Sequence, residues 1–485
     1  MNPLTEAVRR VLRMAIDTYR DQPGTAHLLR RELARLDEPL RVAIAGKVKA
    51  GKSTLLNALV GEAVAPTDAG ECTQVVTWYQ GGPSPKILLH PKSGPVVPLP
   101  VVRRDGALEI DLLGTSPDQV DRLVVDWPAQ SLRGTTLIDT PGIASLSVET
   151  ARRTVRFLEP DDAPTEADAV IYLMRHLHAS DAEFLESFRE SRATAVNTVA
   201  VISRADEIGG GRVDAMFSAR GIAGRYRAEP ALRGLCQNVV AVAGLLAHTG
   251  RTLRQAEFLA LTALAAMPRE ELEGLLLSAD RFAAADSQRR SLLHRFGLFG
   301  IRLATTLIRQ GVSTPAALAE ELVGRSGLHE LQRVLHTQFV QRRDLLKARS
   351  ALLAVERVLR TSPDSRLSAE VERILAGAHE FAELHLLTAL RSGTVSLPRA
   401  VSAEAERLLG DDGIAPCVRL GLPLGTALDE VRRAAFAALA RWQRHAENPM
   451  FGHRASDACR VVVRTCEGMV RSAARPEPQR VRLSR

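Results

Sequence analysis

Between Arg41 and Thr54 the chain reads RVAIAGKVKAGKST: an apolar run ending at Gly46, four intervening residues, then Gly51, Lys52 and Ser53. No other feature restricts the fold as strongly, because two glycines at this spacing followed by Lys-Ser require a strand before them and a helix after them. The segment LLNALVG supplies the helical pattern. The glycines let the backbone curl until successive N–H groups point at phosphate oxygens, and the helix N-terminus adds a favourable dipole. Lys49, Ala50 and Thr54 complete the loop. Lys52 would reach the β- and γ-phosphates of a nucleoside triphosphate, and the Ser53 hydroxyl would ligate Mg2+.

Three more elements follow in the order that a guanine-nucleotide site needs. In TDAGECTQ, Thr73 is the candidate switch threonine, offering hydroxyl and carbonyl to Mg2+ and to an attacking water, with Thr67 and Thr77 competing for the role. In LIDTPG, Asp139 ends an apolar run and would hold Mg2+ through water, while the Gly142 N–H would sense the γ-phosphate. In VISRAD, the Asp206 carboxylate can accept from both N1–H and the exocyclic amine of guanine, a donor pair that adenine lacks. Ser203 and Arg204 precede it, and the Arg204 stem would cover the base plane. Downstream, backbone groups of Ala241 to Gly244, Ala243 among them, could line the base.

The apolar runs RVAIAG, VVTWY, KILLH, LVVDWP, TTLIDT, ADAVIYLM, TVAVIS and NVVAVAG are short, and several are continuous rather than alternating. Separated by helix-length segments, they predict buried strands of a mainly parallel sheet, hence an α/β domain. Two helical patterns precede them and no strand pattern follows Arg251. The stretch from Leu328 to Arg360 has neither Gly nor Pro and keeps an apolar stripe; at 1.5 Å per residue it predicts a rod of about 50 Å. Further stripes through Leu428, Val431, Ala435, Leu439 and Trp442, and through Cys459, Val462, Cys466 and Met469, supply partners for an elongated helical bundle.

The 485 residues suit several domains, and 45% hydrophobic with 25% charged residues excludes collagen-like, disordered and membrane-embedded classes. With 4% aromatics the core must be aliphatic and alanine-rich. The net charge of +8 is carried almost wholly by arginine, since only Lys47, Lys49, Lys52, Lys86, Lys92 and Lys347 are lysines. That balance suits an anionic membrane surface as well as nucleic acid. Five scattered cysteines without a C-x-x-C pair point to a reducing compartment. The start has no apolar segment of the signal-peptide kind, and Gly234 to Gly250, the longest uncharged stretch, is too polar to span a bilayer. No histidine group has metal spacing and no G-x-S-x-G occurs.

The order GKVKAGKST, Thr73, DTPG and SRAD, framed by a short helical N-terminus and a long helical C-terminal half, resembles the dynamin superfamily of large GTPases. APTDAGECTQVVTWY, SRADEIGGGRVDAM, FGLFGIR and SGLHELQRVLHTQF resemble most closely the isoniazid-inducible dynamin-like proteins of actinobacteria, particularly the shorter of that pair. The resemblance implies N-terminal helices over 1–37 docked on a neck, a GTPase domain over 38–325, and an elongated all-α neck and trunk over 326–485 ending in a short basic tail. It also implies nucleotide-dependent self-association and remodelling or fusion of membranes, and it carries over Lys52, Ser53, Thr73, Asp139, Gly142 and Asp206 in the roles given above. Lys49 departs from the pattern: animal dynamins place a serine there with a monovalent cation, and guanylate-binding relatives an arginine finger. Lys49 would supply that charge in cis.

The expected protein is therefore a cytoplasmic, Mg2+-dependent GTP hydrolase acting peripherally at the inner face of the cell membrane. Its partners would be itself, an anionic membrane, and a second dynamin-like protein, with no DNA expected. The lipid contact falls on the Gly393 to Pro398 turn or the Ile414 to Leu424 loop. The rival reading is a P-loop switch acting on RNA or ribosomes, or a nucleotide-regulated scaffold.

Overall fold

The structure, a computed structural model, describes residues 2–67, 74–104, 106–142, 166–177, 181, 185, 197–284 and 286–473. Two compact units divide the chain: Asp37–His336, and Met1–Leu36 together with Thr337–Arg485.

Among the described residues the first unit has eleven strands: β1 (Leu40–Gly46), β2 (Thr77–Gly81), β3 (Lys86–Pro91), β4 (Val97–Leu99), β5 (Val102–Arg104), β6 (Ala107–Glu109), β7 (Val120–Trp127), β8 (Thr135–Asp139), β9 (Ala169–Met174), β10 (Thr198–Ile202) and β11 (Asn238–Ala241). Nine form one sheet in the order β11-β10-β9-β1-β8-β2-β7-β3-β4, and β5 pairs with β6 apart from it. The five strands from β11 to β8 are all parallel. Every residue of β9 and β10 is buried, which is why these runs read as continuous rather than alternating. Beyond β8 the sheet is mixed: β2 runs antiparallel to β8 but parallel to β7, and β3 runs antiparallel to both β7 and β4.

The mainly parallel α/β reading therefore holds for the half that carries the candidate site. It missed β4, β5 and β6, where Pro95, Pro98 and Pro100 break the pattern; proline is tolerated because β4 is an edge strand. As the composition required, alanine fills much of the core: Ala43, Ala45, Ala200, Ala219 and Ala304 are fully buried beside Phe282, Phe296 and Ile301.

In the second unit, α1 (Pro3–Thr18) and α2 (Pro23–Arg35) put Val8, Val11, Leu12, Ala15 and Leu29 into one core with Ala348, Leu352 and Val355 of the helix Arg343–Thr361. A second core gathers Leu387, Leu390, Ala435, Trp442, Cys459, Val462, Cys466 and Met469. Both cysteines are thus apolar packing groups, and burial pushes the Cys459 thiol up to about 11 and the Cys466 thiol to about 12.

The predicted single rod from Leu328 to Arg360 is not formed. The helix Leu328–Leu335 passes into a π-helical turn at His336–Val340, and helix resumes only at Arg343. Tertiary hydrogen bonds fix the break: the Gln338 amide donates to the Asp411 carbonyl and the buried Arg342 guanidinium to the Gly410 carbonyl. A stripe of apolar residues carries no sign of such partners.

Of the two candidate lipid segments, Gly393 to Pro398 turns Val395 and Leu397 partly into the second core. The other exposes Leu424, at 79%, and is pinned by two hydrogen bonds that the Arg419 guanidinium donates to the Glu383 carboxylate at 2.8 and 3.1 Å. Among the described residues no helix is long and apolar enough to cross a membrane.

Candidate nucleotide site

Because β1, β8, β9 and β10 run parallel, the turns leaving them share one edge of the sheet, where open α/β sheets bind ligands. β1 ends at Gly46 with φ 148, and a Cβ there would lie 2.5 Å from the Leu173 carbonyl oxygen of β9. Only glycine lets the strands approach this closely. The loop then doubles back: the Ala50 N–H donates to the Lys47 carbonyl at 3.1 Å, Lys49 takes the left-handed conformation at φ 60, and Gly51, at φ 91, caps α3 (Lys52–Val60). A left-handed lysine is strained backbone of the kind found at ligand clamps. The first intrahelical bond of α3 runs from the Leu55 N–H to the Gly51 carbonyl at 2.9 Å, so the amides before it have no partner one turn earlier, the condition that makes a helix N-terminus an anion site.

Lys52 Nζ lies across the loop, donating to the carbonyls of Gly46 and Lys47 at 3.3 Å each. Burial pushes its pKa down and the neighbouring Asp139 pulls it back. The Ser53 hydroxyl donates to Asp139 Oδ2 at 2.7 Å, while Asp139 Oδ1 is buried without a partner. Burial raises the Asp139 pKa, opposed by Lys52 and Ser53. A hydroxyl beside a carboxylate with one oxygen unsatisfied is the donor set a hard, hydrated dication prefers, so these residues fit Mg2+. Thr140 ties the next turn down by donating to the Ile44 carbonyl at 2.9 Å. Gly142 follows so close to the loop that a Cβ would meet Val48 Cγ2 at 2.4 Å.

A cavity of about 170 Å³ adjoins the loop, lined by Ala50, Gly51 and Thr54 on one side and Ser203, Arg204 and Asp206 on the other. Asp206 is 8% exposed; burial raises its pKa, with Glu207 adding to the rise and a backbone hydrogen bond and Arg204 opposing it. Ser203 Oγ donates to the Met174 carbonyl at 3.3 Å, fastening β10 to β9. Arg204, left-handed at φ 51, lines the cavity while its guanidinium pairs with Glu207 at 2.7 Å.

Not every expected residue takes its expected place. The Ala243 N–H donates to the Ser326 carbonyl at 2.9 Å and Ala243 does not line the cavity; its neighbours Val242 and Gly244 do. Thr73 lies outside the described residues. Of its competitors, Thr67 is exposed, and Thr77 is committed to β2, opposite Asp139, with its hydroxyl on the Val75 carbonyl at 3.3 Å. Lys49 is exposed, beside the loop it belongs to. Glu207, Leu55, Leu173, Val201 and Leu245 also line the cavity; the sequence marks the last four only as apolar strand and helix residues. Among the described residues no group of three His, Cys, Asp or Glu could hold a metal.

Fold and turns together define a P-loop domain of the GTPase class, and the family profile described as 50S ribosome-binding GTPase matches residues 41–203. Isoniazid-induced protein IniC of Mycobacterium tuberculosis is 42% identical over 485 residues, 96% of this chain and 98% of that protein. Isoniazid-induced protein IniA of the same organism is 32% identical over 175 residues, 33% of this chain and 25% of that protein. A bacterial dynamin-like protein of Nostoc punctiforme is 33% identical over 119 residues, 21% of this chain and 16% of its own length. The chain belongs to the dynamin superfamily of GTPases and, within it, to the IniC type.

Proposed function

We propose that this chain binds GTP with Mg2+, hydrolyses it to GDP and phosphate, and couples the cycle to self-association at a membrane surface. The observation that carries the reading is the convergence of the loop Gly46–Thr54, the Ser53–Asp139 pair and the buried Asp206 on one sheet edge. In this reading the loop amides and Lys52 hold the β- and γ-phosphates, and Asp206 accepts from the guanine edge. Bound at Ser53 and Asp139, Mg2+ supplies charge neutralisation at the phosphate oxygens. Thr73 orients the attacking water, the Gly142 N–H senses the γ-phosphate, and Lys49 stabilises the charge that develops as the bond breaks.

In this reading the sheet-containing units carry the nucleotide cycle and pair across their nucleotide faces as a G-domain dimer or oligomer, and the helical unit transmits the change. The protein acts in the cytoplasm, peripherally at the inner membrane face, with itself, anionic lipid and a second dynamin-like protein as partners. Exposed apolar side chains of the helical unit, Leu424 at 79% and Met450 at 87%, are the candidate lipid contacts. The word ribosome in the matched profile's description favours a second reading, a switch on RNA. The profile covers residues 41–203 alone, whereas the likeness to IniC runs through the helical unit, which supports the first. GTP turnover measured with anionic liposomes and with RNA, across protein concentrations, tests both. Specific activity rising with concentration and with liposomes is expected; stimulation by RNA alone would replace the membrane reading.

A further inference from the structure

One buried polar cluster outside the nucleotide cavity touches the phosphate-binding loop. Asp181 is 1% exposed, and its carboxylate accepts from Tyr172 Oη at 2.8 Å and from Lys47 Nζ at 3.1 Å. Tyr172 stands on β9 opposite Ala45 of β1, so the sheet itself fixes where the phenol points its hydroxyl. Burial and the neighbouring carboxylate push the Tyr172 pKa up, which keeps that hydroxyl a donor.

Lys47 is the hinge of the arrangement. Its side chain, 35% exposed, is tied to Asp181, while its carbonyl accepts from both the Ala50 N–H at 3.1 Å and Lys52 Nζ at 3.3 Å. The turn that carries left-handed Lys49 therefore closes on Lys47, and the ammonium of Lys52 rests on it. A carboxylate as buried as Asp181 needs hydrogen-bond donors around it, so carboxylate and lysine hold each other.

We propose that Asp181 is a positioning residue of the phosphate-binding loop: with Tyr172 it anchors Lys47, and through the Lys47 backbone it sets where Lys49 and Lys52 meet the phosphates. The proposal rests on the GTPase reading above. Asp181 does not line the nucleotide cavity, and its effect runs wholly through the loop. A displacement of about an ångström at such a loop costs turnover more than binding, because the loop amides still reach the diphosphate while the groups facing the transferred phosphoryl are misplaced.

The test uses the full chain with Mg2+, comparing Lys47→Met, Lys47→Arg, Asp181→Asn, Tyr172→Phe and the double variant Lys47→Met/Asp181→Asn for kcat, GDP affinity and melting temperature. Lys47→Met and Asp181→Asn should each lower kcat by about tenfold, with GDP affinity within about threefold. Lys47→Arg, which keeps the ion pair, should hold most of the rate, and the double variant should be no slower than the worse single one, since both changes break the same contact. Should Asp181→Asn fail to fold, the Lys47 pair still decides, because that side chain is partly in solvent. Full turnover in a folded Lys47→Met variant, equal losses of kcat and GDP affinity, or additive losses in the double variant would overturn the proposal. A parent protein that binds no GTP would instead overturn the GTPase reading itself, and this proposal with it.

Discussion

The Ser53 hydroxyl donates to Asp139 Oδ2 across 2.7 Å, joining the first turn of α3 to the end of β8, while the second oxygen of the same carboxylate is buried without a partner. Serine and aspartate thus meet where a dication would be held. The unsatisfied oxygen is the more telling half, because a lone buried carboxylate oxygen costs about 1–3 kcal/mol or more unless something pairs with it.

Chelation of divalent ions should therefore weaken GTP binding, and Ser53→Ala should weaken Mg2+ binding by about tenfold. Burial raises the Asp139 pKa, so protons compete for this carboxylate at higher pH than for an exposed one. Apparent Mg2+ affinity should fall as pH is lowered, and titration calorimetry at several pH values checks it. An affinity independent of pH through the acid range would be inconsistent with Asp139 as ligand.

Asp206→Asn exchanges the acceptor pair facing the base for one acceptor and one donor. Charge-assisted hydrogen bonds contribute about 1.5–3 kcal/mol, so GTP should bind about 10- to 100-fold more weakly while ATP is little affected. Competition of the two nucleotides for a fluorescent GTP analogue gives the ratio. Equal effects on both would remove Asp206 from base recognition.

Lys49→Ala should lower kcat by about 100-fold, the size of a lost electrostatic stabiliser, and leave GTP affinity within a few-fold. Single-turnover kinetics separate the two. Equal losses would make Lys49 a binding residue instead.

His248 is buried in the helix Gly244–Arg251 with Nδ1 unpartnered, and burial, with Arg295 adding, pushes its pKa down from 6.5 to about 4. The unfolded imidazole takes up its proton near 6.5 and the native one only near 4, so between these values the unfolded chain binds more protons and stability is lost as the pH is lowered. At pH 7 and above the effect is absent. Between pH 7 and 4 the contribution is at most about 3 kcal/mol. Urea midpoints for the parent protein and His248→Gln across this window should show the parent losing more stability; parallel losses would contradict the assignment.

What the sequence made legible was local. Gly46, Gly51, Lys52 and Ser53 stand in one strand-turn-helix unit whose spacing already dictates its shape, and β9 and β10 show their burial as unbroken apolar runs. What stayed hidden depends on partners far along the chain. The Ala243 amide is taken by Ser326, the helix break at His336–Val340 is held by groups near Asp411, and Asp181 matters because Lys47 and Tyr172 converge on it. No periodicity encodes these contacts. The dynamin likeness was legible because its motifs are short and ordered, and the full-length identity to IniC agrees with it.

The central claim is that a guanosine triphosphate sits against the loop Gly46–Thr54, gripped by Lys52 and a divalent ion. Calorimetric titration of GTP into the full chain and into Lys52→Ala, with and without Mg2+, addresses it most directly. The account predicts Mg2+-dependent binding to the parent protein that weakens about 100-fold in the variant, the loss of one ammonium bridging two phosphates. Binding that ignores both the metal and the substitution would contradict it.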